Sequence, residues 1–558
     1  MDSSSSNKLS MPSEASEIRD DIYSEKLPNL QQDKISLNSE KRLERENEKP
    51  NLNKSFYEFT LEIKKFIKFI GPGYLIAVGY LDPGNWATDL SAGSQFGYAL
   101  LFIILCSNFM AMLLQMLAIK LGVVTGLDLA QACRAFYPKY VNLFLYVLCE
   151  LAIIACDLAE VIGSAIALNL LFKIPLPWGV AITAVDVFII LFIYRENDMK
   201  SARILESLVM MLVGVVGVCF VLELVYAKPD SVDVLKGYLP SSGIFTNSKE
   251  LYIAVSIVGA TVMPHCIYLH SHLVKVRKLR EENQGIKYQK QSGLMKKSDG
   301  SAKKFFKEII GSTIKFSVLD SIVALTFALF VNSSILIVSA ANFYYVDEPP
   351  IVANLFDAYN LLMRLGQAAA ILFGVALLMA GQSSTLTATI AGQVVMEGFM
   401  GWKIRPWLRR LITRSFAIIP AMFIAILRGE NGINELLVAS QVALSIQLPF
   451  AVVPLVWFTS CKKYMRVDVR ELCKRELDNE EDIEIGDDNG KIQSITEMSH
   501  EFQNSNSVNN DDEKYIMDFS NSYILSGFAC IVSLIIISLD LYLVFDIIRG
   551  IIKGESID

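Results

Sequence analysis

Apolar residues along this chain come in long blocks. Eleven of them, each about 20 residues and so long enough for one helix to cross the hydrocarbon core of a bilayer, begin near residues 68, 97, 141, 176, 204, 251, 311, 365, 411, 436 and 522. Only helices and closed barrels satisfy every backbone N–H and C=O in lipid, and blocks of this length predict helices. The pattern therefore predicts an all-α polytopic membrane protein. Between the blocks the chain is polar. Residues 1–55 are rich in Ser, Asn, Glu and Lys with few aromatics, too little apolar surface to fold on, and are read as a disordered cytoplasmic tail. A second polar stretch, 461–521, carries Asp478-Asn-Glu-Glu-Asp-Ile-Glu484 and is read as a disordered acidic cytoplasmic loop. The predicted organisation is the tail 1–55, a ten-helix core over 60–460, the acidic loop 461–521, an eleventh helix over 522–548 and a short tail over 549–558.

Composition excludes an ordinary soluble protein: 53% of the 558 residues are hydrophobic, and mean hydropathy is +0.40. The net charge of −7 comes largely from the tails and the acidic loop, so it indicates no nucleic-acid partner. None of the nine cysteines falls in a segment placed outside and no CxxC spacing occurs, so neither disulfides nor a zinc site is indicated. No Walker-type glycine loop appears, which argues against a nucleotide. No charged-then-apolar leader precedes the first block, so the first span is expected to act as its own insertion signal. Basic residues set the orientation. Lys120, Arg134 and Lys139, then Arg195, Lys200 and Arg203, the dense stretch Lys275 to Lys307, and Lys403, Arg405, Arg409 and Arg410 fall in alternate connections, which are read as cytoplasmic. The connections Lys228 to Glu250 and Asn342 to Pro350 are mixed or acidic and are read as outside. The N-terminus is thus expected inside and the C-terminus outside. A glycosylation sequon, Asn332-Ser-Ser, stands at the expected end of span seven, where an outer surface and a bundle-facing position both fit it.

Two spans are interrupted. The first reads Gly71-Pro-Gly-Tyr-Leu-Ile-Ala-Val-Gly79-Tyr-Leu-Asp82-Pro-Gly-Asn85-Trp-Ala-Thr-Asp89. Pro and Gly break the backbone ladder, and a charge inside lipid costs at least a few kcal/mol. A broken helix with exposed carbonyls beside Asp82 and Asn85 offers hard oxygen ligands to a cation at the midplane. A Pro-kinked helix with a structural Asp fits the same segment. The sixth span carries Gly259-Ala260-Thr261-Val262-Met263-Pro264-His265, then Tyr268-Leu-His270-Ser-His272, so three of only four histidines lie together. Breaks five spans apart point to an inverted-repeat transporter with its site between them. A Met is ordinarily packing. Beside a helix-breaking Pro and opposite the first break, Met263 is a sulfur donor that biases the site toward transition ions over Mg²⁺ or Ca²⁺.

Span three places Glu150, Asp157 and Glu160 at offsets of seven and three, on one helical stripe. Intramembrane carboxylates in a row fit a proton relay. They equally fit plain ion pairing with Arg277, Arg409 and Arg410, and the two uses are compatible.

Asp82-Pro-Gly-Asn85 with Met263-Pro-His265 resembles the NRAMP family of proton-coupled divalent metal ion transporters. The likeness extends over about 68–460 through Gly122-Val-Val-Thr-Gly-Leu-Asp128-Leu-Ala, Asp157-Leu-Ala-Glu160-Val-Ile-Gly, Gly381-Gln-Ser-Ser-Thr, Gln393-Val-Val-Met-Glu397-Gly, Arg409-Arg-Leu-Ile-Thr-Arg414 and Ala439-Ser-Gln441-Val. The polar tail and long acidic loop resemble fungal members. The resemblance implies a LeuT-type inverted repeat of five plus five helices, followed here by an eleventh. It implies a metal held by the Asp82 carboxylate, the Asn85 amide, Met263 sulfur and the backbone carbonyls of Gly79 and Ala260, with Gln441 approaching when the outer gate closes. Gly79 stands where the family commonly has Ala. The resemblance also associates His265, Asp157 and Glu160 with proton movement and Glu150 and Arg277 with a charged network farther along.

The expected function is import of Mn²⁺, Fe²⁺ and similar ions into the cytoplasm with protons, by a non-enzymatic transporter that needs no cofactor and no nucleotide and works as a monomeric unit in a plasma, endosomal or vacuolar membrane. A same-fold transporter of Mg²⁺ or another substrate, and a non-transporting metal sensor that signals through the acidic loop, are the alternatives.

Overall fold

A computed structural model describes residues 72–193, 211, 214–215, 217–275, 299–345, 354–402, 404–468 and 516–553. All of them belong to one compact unit, Phe69–Asp558. The expected tail 1–55, the acidic run 478–484 and Arg277 lie outside the described residues.

The first expected span is two helices, α1 (Pro72–Gly79) and α2 (Pro83–Phe96), followed by α3 (Leu101–Thr125), the short α4 (Leu129–Phe136), α5 (Lys139–Phe172) and α6 (Leu176–Ile193). Next come α7 (Gly217–Ala227), then α8 (Ser231–Gly237), α9 (Gly243–Thr246) and α10 (Ser248–Thr261). The second half of the sixth span is α11, residues 264–275. Helix α12 (Asp299–Ser339) runs into a π-helical turn, Ala340–Tyr344, and α13 (Leu355–Leu365), α14 (Gln367–Met400), α15 (Pro406–Leu427), α16 (Gly429–Ser460) and α17 (Tyr523–Lys553) complete the helices. Among the described residues, eight helices are long and apolar enough to cross a membrane, the sixth span counting as one. Helices α1 and α2, α6 and α7 stand where the first, fourth and fifth spans are expected.

Both breaks have the same local cause. After α1 the backbone tightens, with Tyr80 N–H donating to Ala77 O at 3.0 Å and Leu81 N–H to Val78 O at 3.1 Å. Asp82 then takes an extended conformation (φ −70°, ψ 163°) and caps α2, whose first residue is Pro83. Pro at the first helical position loses no hydrogen bond, and an Asp cap satisfies the orphan N–H groups behind it. In the sixth span α10 ends at Thr261, Val262 leaves the helical region (φ −105°, ψ 71°), and Pro264 opens α11. An uncoiled residue followed by a helix-starting Pro thus forms each break.

The broken spans sit at the centre. Helices α1 and α2 pack on α12, α10 packs on α16 and α2, and α5 lies against α14, α16 and α15. Close approach is set by small residues: a side chain at Gly163 of α5 would collide with Pro83. The connections expected on one side meet at one end of the bundle. There Lys120 Nζ donates to Asn521 Oδ1 at 2.7 Å, His272 and Lys275 reach Asp128, and Asn142 Nδ2 donates to Phe399 O at 2.9 Å. Tyr98 and Tyr345, with ring centroids 5.1 Å apart, and the contact of Tyr542 with Phe245 O mark the other end.

One feature departs from the sequence reading, and one open alternative is decided. The ends of the acidic connection are ordered: β1 (Arg466–Asp468) pairs antiparallel with β2 (Ile516–Asp518), Val467 opposite Met517. Met465, Val467 and Met517 are buried there, so local apolar residues in a polar stretch seed the pair. The sequon residue Asn332 is no outer-surface site. It is buried within α12, where its Nδ2 donates to Tyr80 O at 3.2 Å and to Asn85 Oδ1 at 3.4 Å.

Candidate cation site and the adjoining charged network

Asp82, Asn85, Ala260, Met263 and Gln441 are all buried, and the two turns that carry the first four face one another. Asp82 Oδ1 accepts from the Asn85 backbone N–H at 3.0 Å and from Asn85 Nδ2 at 2.5 Å, and Asp82 Oδ2 accepts from Gly84 N–H at 3.3 Å. Asn85 Nδ2 also donates to Ala260 O at 3.0 Å. One amide therefore holds two oxygens from the two broken spans. Gln441 approaches from α16: a side chain at Gly84 would collide with its Nε2, and that same point lies 2.9 Å from Asp82 Oδ2. Glycine at 84 is what lets the two amide-bearing elements close. Gln441 Oε1 has no hydrogen-bond partner among the described residues. Met263 Sδ lies 3.6 Å from the point where a methyl on Gly79 would sit, so the sulfur borders the end of α1. The six positions selected in the sequence, Gly79 among them, are thus brought to one place.

Among the described residues Asp82 has no basic partner; its carboxylate is held by N–H groups alone. No cluster of three or more His, Cys, Asp or Glu side chains among the described residues is arranged to hold a metal. The donor set here is mixed instead: one carboxylate, amide oxygens, a thioether and carbonyls.

The carboxylates of α5 have a different environment. Arg409 Nη2 donates to both Glu150 oxygens, at 2.9 and 2.8 Å. Arg410, fully buried, pairs with Asp157 Oδ1 through Nη1 and with Glu160 Oε2 at 3.0 Å through Nη2. Arg414 Nη1 adds a contact to Glu160 Oε2 at 3.5 Å. Thr385 Oγ1 donates to Glu160 Oε2 at 2.8 Å and Ser384 Oγ to Oε1 at 2.9 Å. Two buried carboxylates thus face two buried guanidinium groups. Asp157 Oδ2 and His265 Nδ1 are buried without a hydrogen-bond partner among the described residues, and His265 lies within electrostatic reach of Asp157. The three histidines of the sixth span separate in space: His270 Nδ1 meets Gln115 Oε1 at 2.8 Å, and His272 Nδ1 meets Asp128 Oδ2 at 3.1 Å. Gln115 continues to Tyr80 Oη at 2.9 Å, which ties α11 to the first break.

Sequence reasoning left the facing of Asn332 open and missed the roles of Arg414, Ser384 and Thr385. Signals existed. An amide in the middle of an apolar span is a functional candidate, and Arg414 follows Arg410 by four residues, one turn along the same face.

These features define a class: a polytopic helical membrane protein whose first and sixth spans break at facing turns, the arrangement of transporters with discontinuous helices. The chain belongs to the natural resistance-associated macrophage protein-like (Nramp) family, whose model matches residues 73–473. It is 52% identical over 416 residues to the divalent metal cation transporter MntH of Nostoc sp., covering 74% of this chain and 88% of that protein. With the transporter of the same name from Listeria monocytogenes it shares 52% identity over 404 residues, 72% of this chain and 84% of the relative. The crystal structure of the Eremococcus coleocola manganese transporter, in complex with an aromatic bis-isothiourea compound, matches with a TM-score of 0.61 and 33% identity, covering 87% of this chain and 96% of that one. The helical, polytopic plan expected from the sequence, with its first and sixth spans broken, stands.

Proposed function

We propose that this chain is a secondary transporter that carries Mn²⁺, Fe²⁺ and similar divalent ions into the cytoplasm together with protons. The observation that carries the reading is the contrast between carboxylates: Asp157, Glu160 and Glu150 are compensated by arginines, whereas Asp82 has only N–H donors among the described residues. A buried uncompensated carboxylate is costly unless a cation joins it. The named relatives support the substrate, being divalent metal cation and manganese transporters.

In this reading the Asn85 amide stands in for the cation. Its Nδ2 group presents positive N–H dipoles to Asp82 Oδ1 and Ala260 O. When a divalent ion arrives, the amide turns and its oxygen joins the Asp82 carboxylate, the Gly79 and Ala260 carbonyls and the Met263 sulfur. Gln441 Oε1 completes the set as the site closes. The thioether disfavours Mg²⁺ and Ca²⁺ relative to softer ions. The half-helices pivot at their breaks to open one side or the other.

The proton is carried by the network on α5. Glu160 has donors on both oxygens, so Asp157 Oδ2 is the open lone pair and takes the proton. His265, within electrostatic reach of Asp157, shares the task. Glu150, paired with Arg409, continues the path. The transport unit is a monomer with its N-terminus in the cytoplasm, in a plasma, endosomal or vacuolar membrane. Purified protein in proteoliposomes is expected to take up Mn²⁺ driven by an inward proton gradient; vesicles that bind Mn²⁺ without accumulating it would favour a sensor instead.

A further inference from the structure

Met263 is not the only sulfur at the first break. Cys266 follows it by one turn and is fully buried at the start of α11. A methyl built on Gly79 would stand 3.1 Å from Cys266 Sγ and 3.6 Å from Met263 Sδ. Both sulfurs therefore border one point beside the residue whose carbonyl is a proposed ligand. Cys266 is also within electrostatic reach of Asp82 and of Glu160, and of Tyr80 in the first break. Gln441 Oε1 is buried without a hydrogen-bond partner among the described residues, its amide resting on Gly84 beside Asp82 Oδ2. A buried cysteine ordinarily serves as a small hydrophobe. Here the thiol fills the space that an alanine at position 79 would need, which explains in packing terms why glycine occupies that position: at 3.1 Å one of the two groups must give way.

We propose that Cys266 is a second sulfur donor of the cation site, recruited by thiophilic divalent ions such as Cd²⁺ and left protonated by Mn²⁺. The inference rests on the reading of the facing breaks as a metal site. Soft thiolate ligands select soft ions, whereas Mn²⁺ is suited by oxygen donors. When Cd²⁺ binds, the metal–sulfur bond forms as the S–H bond breaks, and the proton leaves to water that enters with the ion. Cys266 therefore sets the ratio of Cd²⁺ to Mn²⁺ affinity, a property that Met263 alone would leave lower.

The test is equilibrium binding of Cd²⁺ and Mn²⁺ to the purified full chain, with the near-ultraviolet cadmium–thiolate absorption as a second readout. Cys266→Ala and Cys266→Ser are expected to lower the Cd²⁺/Mn²⁺ affinity ratio by about tenfold or more and to remove the absorption band, since an oxygen or a methyl cannot replace a thiolate. The double variant Gly79→Ala/Cys266→Ala refills the vacated space, so it separates loss of a ligand from loss of packing; it is expected to bind with the same lowered ratio. Wild-type Mn²⁺ binding that is lost in Asp82→Ala, combined with an unchanged ratio and absorption in all three variants, overturns the role of Cys266 alone. Mn²⁺ binding that survives Asp82→Ala overturns the site itself, and this inference with it.

Discussion

The side chain of Asn85 reaches the main-chain carbonyl of Ala260 at 3.0 Å, across 175 positions of sequence. Because the same Nδ2 also donates to Asp82 Oδ1, the amide couples the two breaks to one carboxylate. Removing that carboxylate leaves the amide without one of its two acceptors and the site without charge. Asp82→Ala is expected to abolish Mn²⁺ uptake while the protein still inserts and purifies as a folded species. Near-normal uptake by well-folded Asp82→Ala protein would remove Asp82 from the site.

Selectivity is expected to follow Met263. Met263→Ala should retain part of the Mn²⁺ transport and let Ca²⁺ or Mg²⁺ compete better, because an oxygen-richer site no longer disfavours hard ions. Uptake of Mn²⁺ at increasing Ca²⁺ checks this, and an unchanged Ca²⁺ inhibition curve identifies Met263 as packing.

Coupling should separate the neighbours on α5. Asp157 has one oxygen on Arg410 and one open, whereas both oxygens of Glu160 are engaged. Asp157→Asn is expected to reduce proton influx and flatten the pH dependence of metal uptake with Mn²⁺ binding retained, and His265→Ala to shift the pH optimum. Proton and metal flux are measured in the same vesicles at several pH values. Wild-type proton flux in Asp157→Asn would make the stripe structural ion pairing.

The arginines differ in what their loss exposes. Arg410 is fully buried between two buried carboxylates, while the Glu150 side chain that Arg409 pairs is 18% exposed. Arg410→Met is expected to destabilise the fold by about 3–5 kcal/mol, the cost of stranding a buried charge, and Arg409→Met by clearly less. Thermal unfolding in detergent gives the comparison; equal losses would show that the two pairs are equally solvated.

At the end of the bundle where α4 begins, Asp128 joins α11 to the loop before α4. Burial alone would push its carboxyl up, but the His272 ring, the Lys275 ammonium and the Gln131 backbone N–H together hold it below the usual carboxylate range. A carboxyl whose folded value is depressed adds stability above its unfolded pKa of about 3.9 and loses it as pH falls through the lower folded value. Asp128→Asn is therefore expected to cost about 1–3 kcal/mol at pH 7, with little change down to about pH 5 and a shrinking cost below about pH 4. A cost that disappears between pH 7 and pH 5 would show that Asp128 is not the group whose titration sets it.

The sequence alone determined what depends on local composition. Apolar block length sets where helices can cross, and Asp-Pro-Gly-Asn and Met-Pro-His mark their own breaks because proline, glycine and charge act on the residues beside them. That was enough to select Asp82, Asn85, Met263 and the carboxylates of α5. Only the tertiary structure decided the partners. Whether Asp157 answers to Arg277, Arg409 or Arg410 depends on the rotation of α15 against α5, 253 residues apart at the Asp157–Arg410 pair, and no periodicity within either helix records that angle. The same holds for Asn332, which reads locally as a glycosylation sequon yet meets the first break, and for Cys266, an apolar residue by composition that becomes a second sulfur only because Gly79 of another helix leaves it room.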